Sequence, residues 1–401
     1  MPMTPQDLPP PTVRLTPWAW ARKNLFSNGY NVALTLLSGW LLGYGAYRLL
    51  GWAWGEAQWD VIGANLKLFA VGRYPAGQVW RLWLVLDLVL GLLGLTLGSV
   101  KIKLDKRALP PSAIALGSAL IGLAAAPWDW LAKAGLGSAI ALGVAGWRIG
   151  LSHWGDRLRP WLGGLWGLSF PVVLWLIGGG LGLREVNSNL WNGLLLTVFT
   201  AVVSIVVSFP LGVLLALGRQ SDLPVVRWMC ILYIEIVRGL PLVGILFIAQ
   251  LMLLLVLPSG IRLDRVLRAI AGLTFFSAAY LAENVRGGLQ SIPRGQVEAA
   301  RALGLNSVWV TLLIVLPQAL RAVIPAIVGQ FIGLFKDTSL LVIVGLLELT
   351  GTARSILAQP DFLGRYAEVY LFIGLIYWLF CYALSLASRR LEQHLSTGHQ
   401  P

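Results

Sequence analysis

Long apolar stretches, separated by short basic or glycine- and proline-containing breaks, set the hydrophobic pattern of this chain. A helix needs about 20 mostly apolar residues to cross a bilayer. Stretches of that kind run over 31–50, 84–100, 161–183, 189–218, 227–257, 266–284, 320–347 and 366–388, and each predicts a spanning helix. Two further stretches, 112–127 and 135–150, are shorter and rich in Gly and Ala, and predict a tight helical hairpin or a re-entrant pair. The expected fold is all-α, a polytopic integral membrane protein with about 8–10 transmembrane helices.

The breaks give an orientation. KIKLDKR (101–107), DRLRP (156–160), RQSDLPVVR (219–227) and the arginine pair at 389–390 carry the basic residues that favour the cytoplasmic side. All four fall on one side only if 112–127 and 135–150 both cross or neither does, and either choice places both termini inside. The tryptophan-rich loop 51–83 then lies outside, too polar to span, as an interfacial hairpin. Residues 1–17 hold six prolines and no apolar core, so they are not a signal peptide. The segment 1–30 reads as a cytoplasmic tail followed by an interfacial entry, WAWARKNLF (18–26), to the first span. The chain then divides near 184–188. A Gly/Ala/Trp-rich membrane extension covers 31–183, and a core holding nearly all the intramembrane polar residues covers 184–390. A short cytoplasmic tail, 391–401, follows. No internal repeat relates the two halves.

Composition narrows the class. The 401 residues are 57% hydrophobic and 12% charged, against about 25% charged in soluble domains. The net charge of +13 is scattered between apolar segments, without the basic runs interleaved with aromatics that nucleic-acid binding needs. Cys230 and Cys381 both lie in apolar stretches, and His153, His394 and His399 are far apart. No metal site and no catalytic residue is expected from them. The 19 tryptophans gather near stretch ends, as interfacial belts do. No lysine follows a glycine, so the phosphate-cradling GxxxxGK[ST] loop is absent. This chain is expected to bind no cofactor.

One cytoplasmic break is unusual. In ENVRGGLQSIPRGQVEAARALGLNSVWVTLLIVLP (283–317), Gln296–Leu303 predicts a short helix with Glu298 in its first turn, where a carboxylate suits the positive helix end. Gly304 fits the position past a helix end that requires φ > 0. Asn306 or Ser307 fits the cap of a second short helix, and Pro317 its end or the start of the next span. Glu298, Ala299, Ala300, Gly304, Ile314, Leu316 and Pro317 form a Glu-Ala-Ala, Gly, Ile-x-Leu-Pro pattern at fixed spacing. That pattern resembles the coupling motif of permease subunits in bacterial ABC importers. EIVRGLPL (235–242), AYLAENVRGGLQSIPRGQ (279–296) and KDTSL (336–340) are similar to the polar amino acid permeases, the group that includes the histidine, glutamine and general L-amino-acid importers. The resemblance covers about 189–390. WxxxRKNLF (18–26) and YPxxxxWRxW (74–83) look like the N-terminal extension of the large permease subunit in that group.

The resemblance implies a type I ABC importer transmembrane fold in the C-terminal half. It also implies a second, related permease chain, two cytoplasmic ATPases carrying ATP and magnesium, and a periplasmic amino-acid-binding protein. Glu298, Ala299, Ala300, Gly304, Leu305 and Pro317 would form the ATPase contact. The protein would be a multi-pass component of the bacterial inner membrane and would itself make and break no covalent bond.

Charges within spans are costly and mark candidate sites. Lys336 and Asp337 suit the carboxylate and ammonium of a zwitterionic amino acid; pairing with each other or with a neighbouring helix is the structural alternative. At 100° per residue, Gln330, Asp337 and Glu348 fall within about 40° of one another on a continuous helix. Thr338 and Ser339 add small hydroxyls. Ser277, Tyr280 and Asn284 share a helix face, with Glu283 beside them, and suit substrate contact or interhelical hydrogen bonding. Glu235 and Arg238, one turn apart, suit a gate or a structural ion pair, and Gly239 and Pro241 interrupt their helix. An ion-gradient-driven transporter is the main rival, and it predicts inverted repeats and broken helices in both halves. A membrane scaffold is another rival, and it leaves Lys336 and Asp337 unexplained.

Overall fold

The computed structural model describes residues 16–99, 130–252, 258 and 263–396. The stretch 112–127, the basic run 101–107 and residues 1–15 and 397–401 of the predicted tails lie outside the described residues. Among the described residues regular structure is helical, apart from isolated bridges pairing Gly180 with Leu183 and Gly193 with Glu348. Among the described residues seven helices are long and apolar enough to cross a membrane, or eight if one sharply bent pair counts as a span.

The chain forms two compact units, Met1–Trp59 and Asp60–Pro401. In the first, α1 (Pro17–Asn24) and α2 (Gly29–Gly55) are each capped by a polar side chain: the Thr16 hydroxyl accepts Ala19 N–H at 3.3 Å, and the Asn28 amide oxygen accepts Asn31 N–H at 2.8 Å. α2 covers the predicted span 31–50. Its 27 residues are long enough, yet it is not among the seven, because Tyr, Trp and Gly dilute its hydropathy.

The second unit begins with α3 (Asp60–Val71), and this corrects the reading of 51–83 as an interfacial hairpin. Val61, Ile62 and Phe69 lie on one side of α3 and are buried against Leu349, Ala353, Ile356, Val369 and Ile373 from the far end of the chain. A docked helix replaces the expected hairpin because an apolar stripe at helical spacing runs through an otherwise polar segment.

α4 (Trp80–Ser99) and α5 (Trp130–Leu151) run parallel and approach closely through glycines. A Cβ on Gly94 would lie 2.1 Å from the Gly143 carbonyl oxygen, and one on Gly146 2.2 Å from that of Gly91. Small residues let helix backbones approach in this way where lipid supplies no hydrophobic drive between helices. α6 (Leu162–Gly178) contains Pro171 and ends in a glycine-rich turn.

The remaining helices form the core: α7 (Gly193–Arg219), α8 (Pro224–Gly239), α9 (Leu242–Phe247), α10 (Arg265–Ser291), α11 (Arg294–Ala302), α12 (Leu316–Asp337), α13 (Leu349–Leu357) and α14 (Tyr366–Ser396). α10 is central, with 67% of its membrane-length window buried. The stretch 227–257, expected as one span, is instead bent by 108° between α8 and the segment Leu242–Met252. Pro241, which lacks an N–H, sits at the bend after Gly239. One apolar cluster joins Val186, Leu196, Leu246, Leu273, Leu334 and Leu341 of the core to Tyr74 and Ile177 of the preceding half. A second, at the other end of the same helices, gathers Ala216, Ile234, Leu281, Val285 and Ala319.

Candidate functional site

The segment after α10 is a helix, a tight turn and a second helix, all largely exposed. α11 runs Arg294–Ala302 after Pro293, two residues earlier than the sequence predicted. Glu298 therefore lies in the second turn, beyond the positive helix end expected to hold it. Gly304 has φ +82°, as expected of a residue past a helix end. Its N–H donates to the Arg301 carbonyl at 2.9 Å, and Leu305 N–H donates to Ala300 at 3.3 Å. This pair of bonds is the glycine-terminated Schellman motif. The Asn306 side chain then caps the next helix by accepting Trp309 N–H at 3.0 Å.

That second helix is not a separate short one. It runs without a break from Ser307 through a wide π turn, Val310–Val315, into α12. Pro317 lies within that continuous helix, where it lacks the N–H for an i−4 bond, and the wide turn just before it accommodates the ring. The turn carries apolar side chains in the open: Leu303 is 83% exposed, Val308 63% and Leu313 56%. Ala300 is buried beneath, while Glu298 and Ala299 are exposed.

A charge cluster ties together α7, α8 and α10. Glu283 accepts Arg286 Nε at 2.9 Å and pairs with Arg219 at 3.4 Å and Arg238 at 3.7 Å. Glu235 pairs with Arg219 at 3.0 Å. Glu235 and Arg238 thus reach to other helices instead of forming a pair of their own. Arg238 also lies over the Tyr280 ring, 5.6 Å from its centre. Tyr280, Glu283 and Asn284 are half-buried on α10, whereas Ser277 is fully buried with no hydrogen-bond partner among the described residues.

Lys336 and Asp337 form the last two residues of α12. Lys336 is exposed and Asp337 half-buried, and among the described residues neither makes a hydrogen bond or ion pair. A half-buried carboxylate without such a partner suits a site that a cation of a ligand completes. Gln330 lies two turns earlier, half-buried, and Ser339 just beyond is half-buried too. Thr338 is fully buried, and its hydroxyl donates to the Phe335 carbonyl of its own helix at 2.7 Å.

Glu348 does not share the face of Gln330 and Asp337. α12 stops at Asp337, a tight 3-10 stretch follows, and Gly345 turns the chain with φ +78°. Glu348 instead caps α13: its carboxylate, fully buried, accepts Thr350 and Gly351 N–H at 2.8 Å each and the Tyr377 hydroxyl at 3.0 Å.

Two features of the first half escaped the sequence reading. Asp87, a carboxylate inside a membrane-length helix, accepts the Ser138 hydroxyl of α5 at 3.0 Å. Tyr74 and Arg81, which belong to the YPxxxxWRxW stretch, act as anchors: the Tyr74 hydroxyl donates to the Ile177 carbonyl and Arg81 Nη1 to that of Arg184, both at 2.8 Å. The tyrosine and arginine were legible as a pattern, but their partners lie 103 residues away.

The chain is similar in sequence to known proteins. The family described as binding-protein-dependent transport system inner membrane component matches residues 208–397. The inner membrane amino-acid ABC transporter permease protein YhdY of Escherichia coli (strain K12) is 36% identical over 95% of this chain and 94% of its own length. The glutamate/glutamine/aspartate/asparagine transport system permease protein BztC of Rhodobacter capsulatus is 38% identical over 98% of this chain and 96% of its own. A probable glutamine ABC transporter permease protein of Bacillus subtilis, GlnP, is 42% identical over 52% of this chain and 94% of its own.

Proposed function

The chain belongs to the amino-acid ABC transporter permeases, non-catalytic multi-pass components of the inner membrane, and on that premise we propose that it is one of two permease subunits of an ATP-driven importer for polar L-amino acids. The second permease is a related chain. Two ATPase subunits, which hold the ATP and magnesium, dock on the cytoplasmic face, and a periplasmic binding protein delivers the amino acid to the opposite face. Both termini of this chain are cytoplasmic.

The observation that carries this reading is the turn around Gly304. Its Schellman bonds and Asn306 cap hold it rigid while Leu303, Val308 and Leu313 stand exposed beside Glu298. Exposed apolar residues on a rigid polar-rimmed turn suit a protein partner more than water or lipid. Glu298, Ala299, Ala300, Gly304, Leu305 and Pro317 contribute to that docking surface. Inside the membrane, Lys336 meets the substrate carboxylate and Asp337 its ammonium, with Gln330, Ser339 and Thr338 nearby and Tyr280, Glu283 and Asn284 lining the approach. Glu235, Arg238 and the bend at Gly239 and Pro241 act as a gate that rearranges as the cavity changes sides. ATP drives the cycle because it binds the outward-facing arrangement more tightly than the inward-facing one.

The test is a tagged purification in mild detergent with the co-purifying chains identified by mass spectrometry. A nucleotide-binding ATPase and a second permease are expected with the native chain. Leu303→Asp and Gly304→Val are expected to lose the ATPase and keep the second permease. Recovery of the chain alone, or with copies of itself only, sinks the reading in favour of a gradient-driven transporter.

A further inference from the structure

An apolar groove of about 330 Å³ lies between α4 and α5. Its floor is glycine, Gly94 and Gly143, where a Cβ on Gly94 would lie 2.1 Å from the Gly143 carbonyl oxygen. Its walls include Leu93, Leu97, Ile140 and Val144, each between 38% and 46% exposed. The charged residue among those lining it is Arg390, which comes from the far end of α14. Among the described residues Arg390 has no hydrogen bond or ion pair, and Glu392, two residues on, accepts the Ser388 hydroxyl at 2.9 Å. Leu90 to Leu97 and Ala139 to Trp147 occupy the later halves of their helices, away from the Tyr74 and Arg81 anchors, and α14 ends on the same side.

We propose that this groove is a binding site for an anionic phospholipid, with one acyl chain along the glycine floor and the headgroup phosphate on Arg390. Each part of the molecule finds its complement. The groove walls lie within helices long and apolar enough to cross the bilayer, so hydrocarbon is what fills them. The arginine stands where those helices end, at the depth of the headgroups, and its planar fork suits phosphate oxygens. The site joins the N-terminal extension to the last helix of the permease core, so the lipid acts as a filler between the two halves. On the orientation proposed above, it is an inner-leaflet site, and the lipid assignment rests on that reading only for the choice of leaflet.

The experiment places the full-length protein, with whatever chains co-purify, in nanodiscs of mixed phosphatidylglycerol and phosphatidylethanolamine. Retained lipids are then counted by native mass spectrometry. Retained phosphatidylglycerol in preference to phosphatidylethanolamine is expected. Arg390→Gln is expected to lower that preference about fivefold, the ratio that roughly 1 kcal/mol per basic residue at an anionic surface gives. Val144→Trp, which fills the groove, is expected to remove the retained lipid of both kinds. The proposal is overturned if Arg390→Gln keeps the preference or if Val144→Trp retains as much lipid. It is also overturned if a photo-cross-linker at position 144 captures a protein helix, whether residues 112–127 of this chain or another subunit, instead of lipid. Nanodiscs offer the same lipids to both leaflets, so the outcome does not depend on which face is cytoplasmic. Loss of ATPase co-purification with lipid retention intact counts against the importer reading alone.

Discussion

Asp337 is half-buried where α12 passes into the 3-10 stretch Thr338–Val344, and among the described residues it makes no hydrogen bond or ion pair. That is an unstable place for a carboxylate unless a ligand brings positive charge. Asp337→Asn is therefore expected to weaken amino acid binding roughly 10- to 100-fold, the range for losing a charged hydrogen bond, while the complex still assembles. Uptake kinetics and co-purification measured on the same variant check it; loss of assembly with no effect on affinity assigns Asp337 to the fold. Residue-level features set by local chemistry were legible in the sequence. Gly304 and Asn306 take the conformations that a helix stop followed by a cap demands. Glu348 was not legible, because its position depended on α12 continuing, and the turn at Gly345 cannot be inferred from apolar periodicity. Asp87 was overlooked because one acid in a 24-residue apolar helix barely alters the pattern.

Helix pairing was harder to read than the helices themselves. Gly91, Gly94 and Gly98 on α4 face Gly143, Gly146 and Gly150 on α5, and each set repeats with the same three- then four-residue spacing. The spacing is visible in the sequence, yet nothing there says which two helices share it or that they run parallel. Gly94→Leu is expected to force the pair apart at a cost of about 1–3 kcal/mol or more. A lowered melting temperature in detergent, with no such change for Gly137→Leu, which meets open space, checks this. Most spanning elements matched their apolar stretches. α3 and the bend at Pro241 did not, since both depend on partners far along the chain, and an apolar run looks the same whether it crosses straight or turns back.

Over the second unit, the extension and the core share their apolar clusters, so the division near residue 184 marks a change of composition more than a change of packing. An ion pair adds to the attachment: Asp60 at the start of α3 meets Arg365, just before α14, at 2.5 Å. The guanidinium holds the Asp60 carboxyl below its usual range. A depressed carboxyl contributes stability above its unfolded value, and that contribution disappears as pH falls through the folded value. Hydrogen exchange in α3 is expected to rise as pH drops below about 4 and to become less pH-dependent in Asp60→Asn. Equal pH dependence in both proteins removes the pair from the attachment of α3.

The helix that starts at Ser307 and passes unbroken through the π turn to Asp337 has a mechanical corollary. Its 30 residues of rise make a rod of about 45 Å, with the Asn306 cap at one end and the Lys336–Asp337 pair at the other. Tilting such a rod by some 5° about one end sweeps the other through ~4 Å, comparable to the width of a substrate ammonium contact. A push on the exposed turn and a shift of the two charges are then one rigid displacement, with no chain of intermediate contacts needed to relay it. The compliant point of that lever is the wide turn ahead of Pro317, and its stiffness sets how much of the stroke arrives.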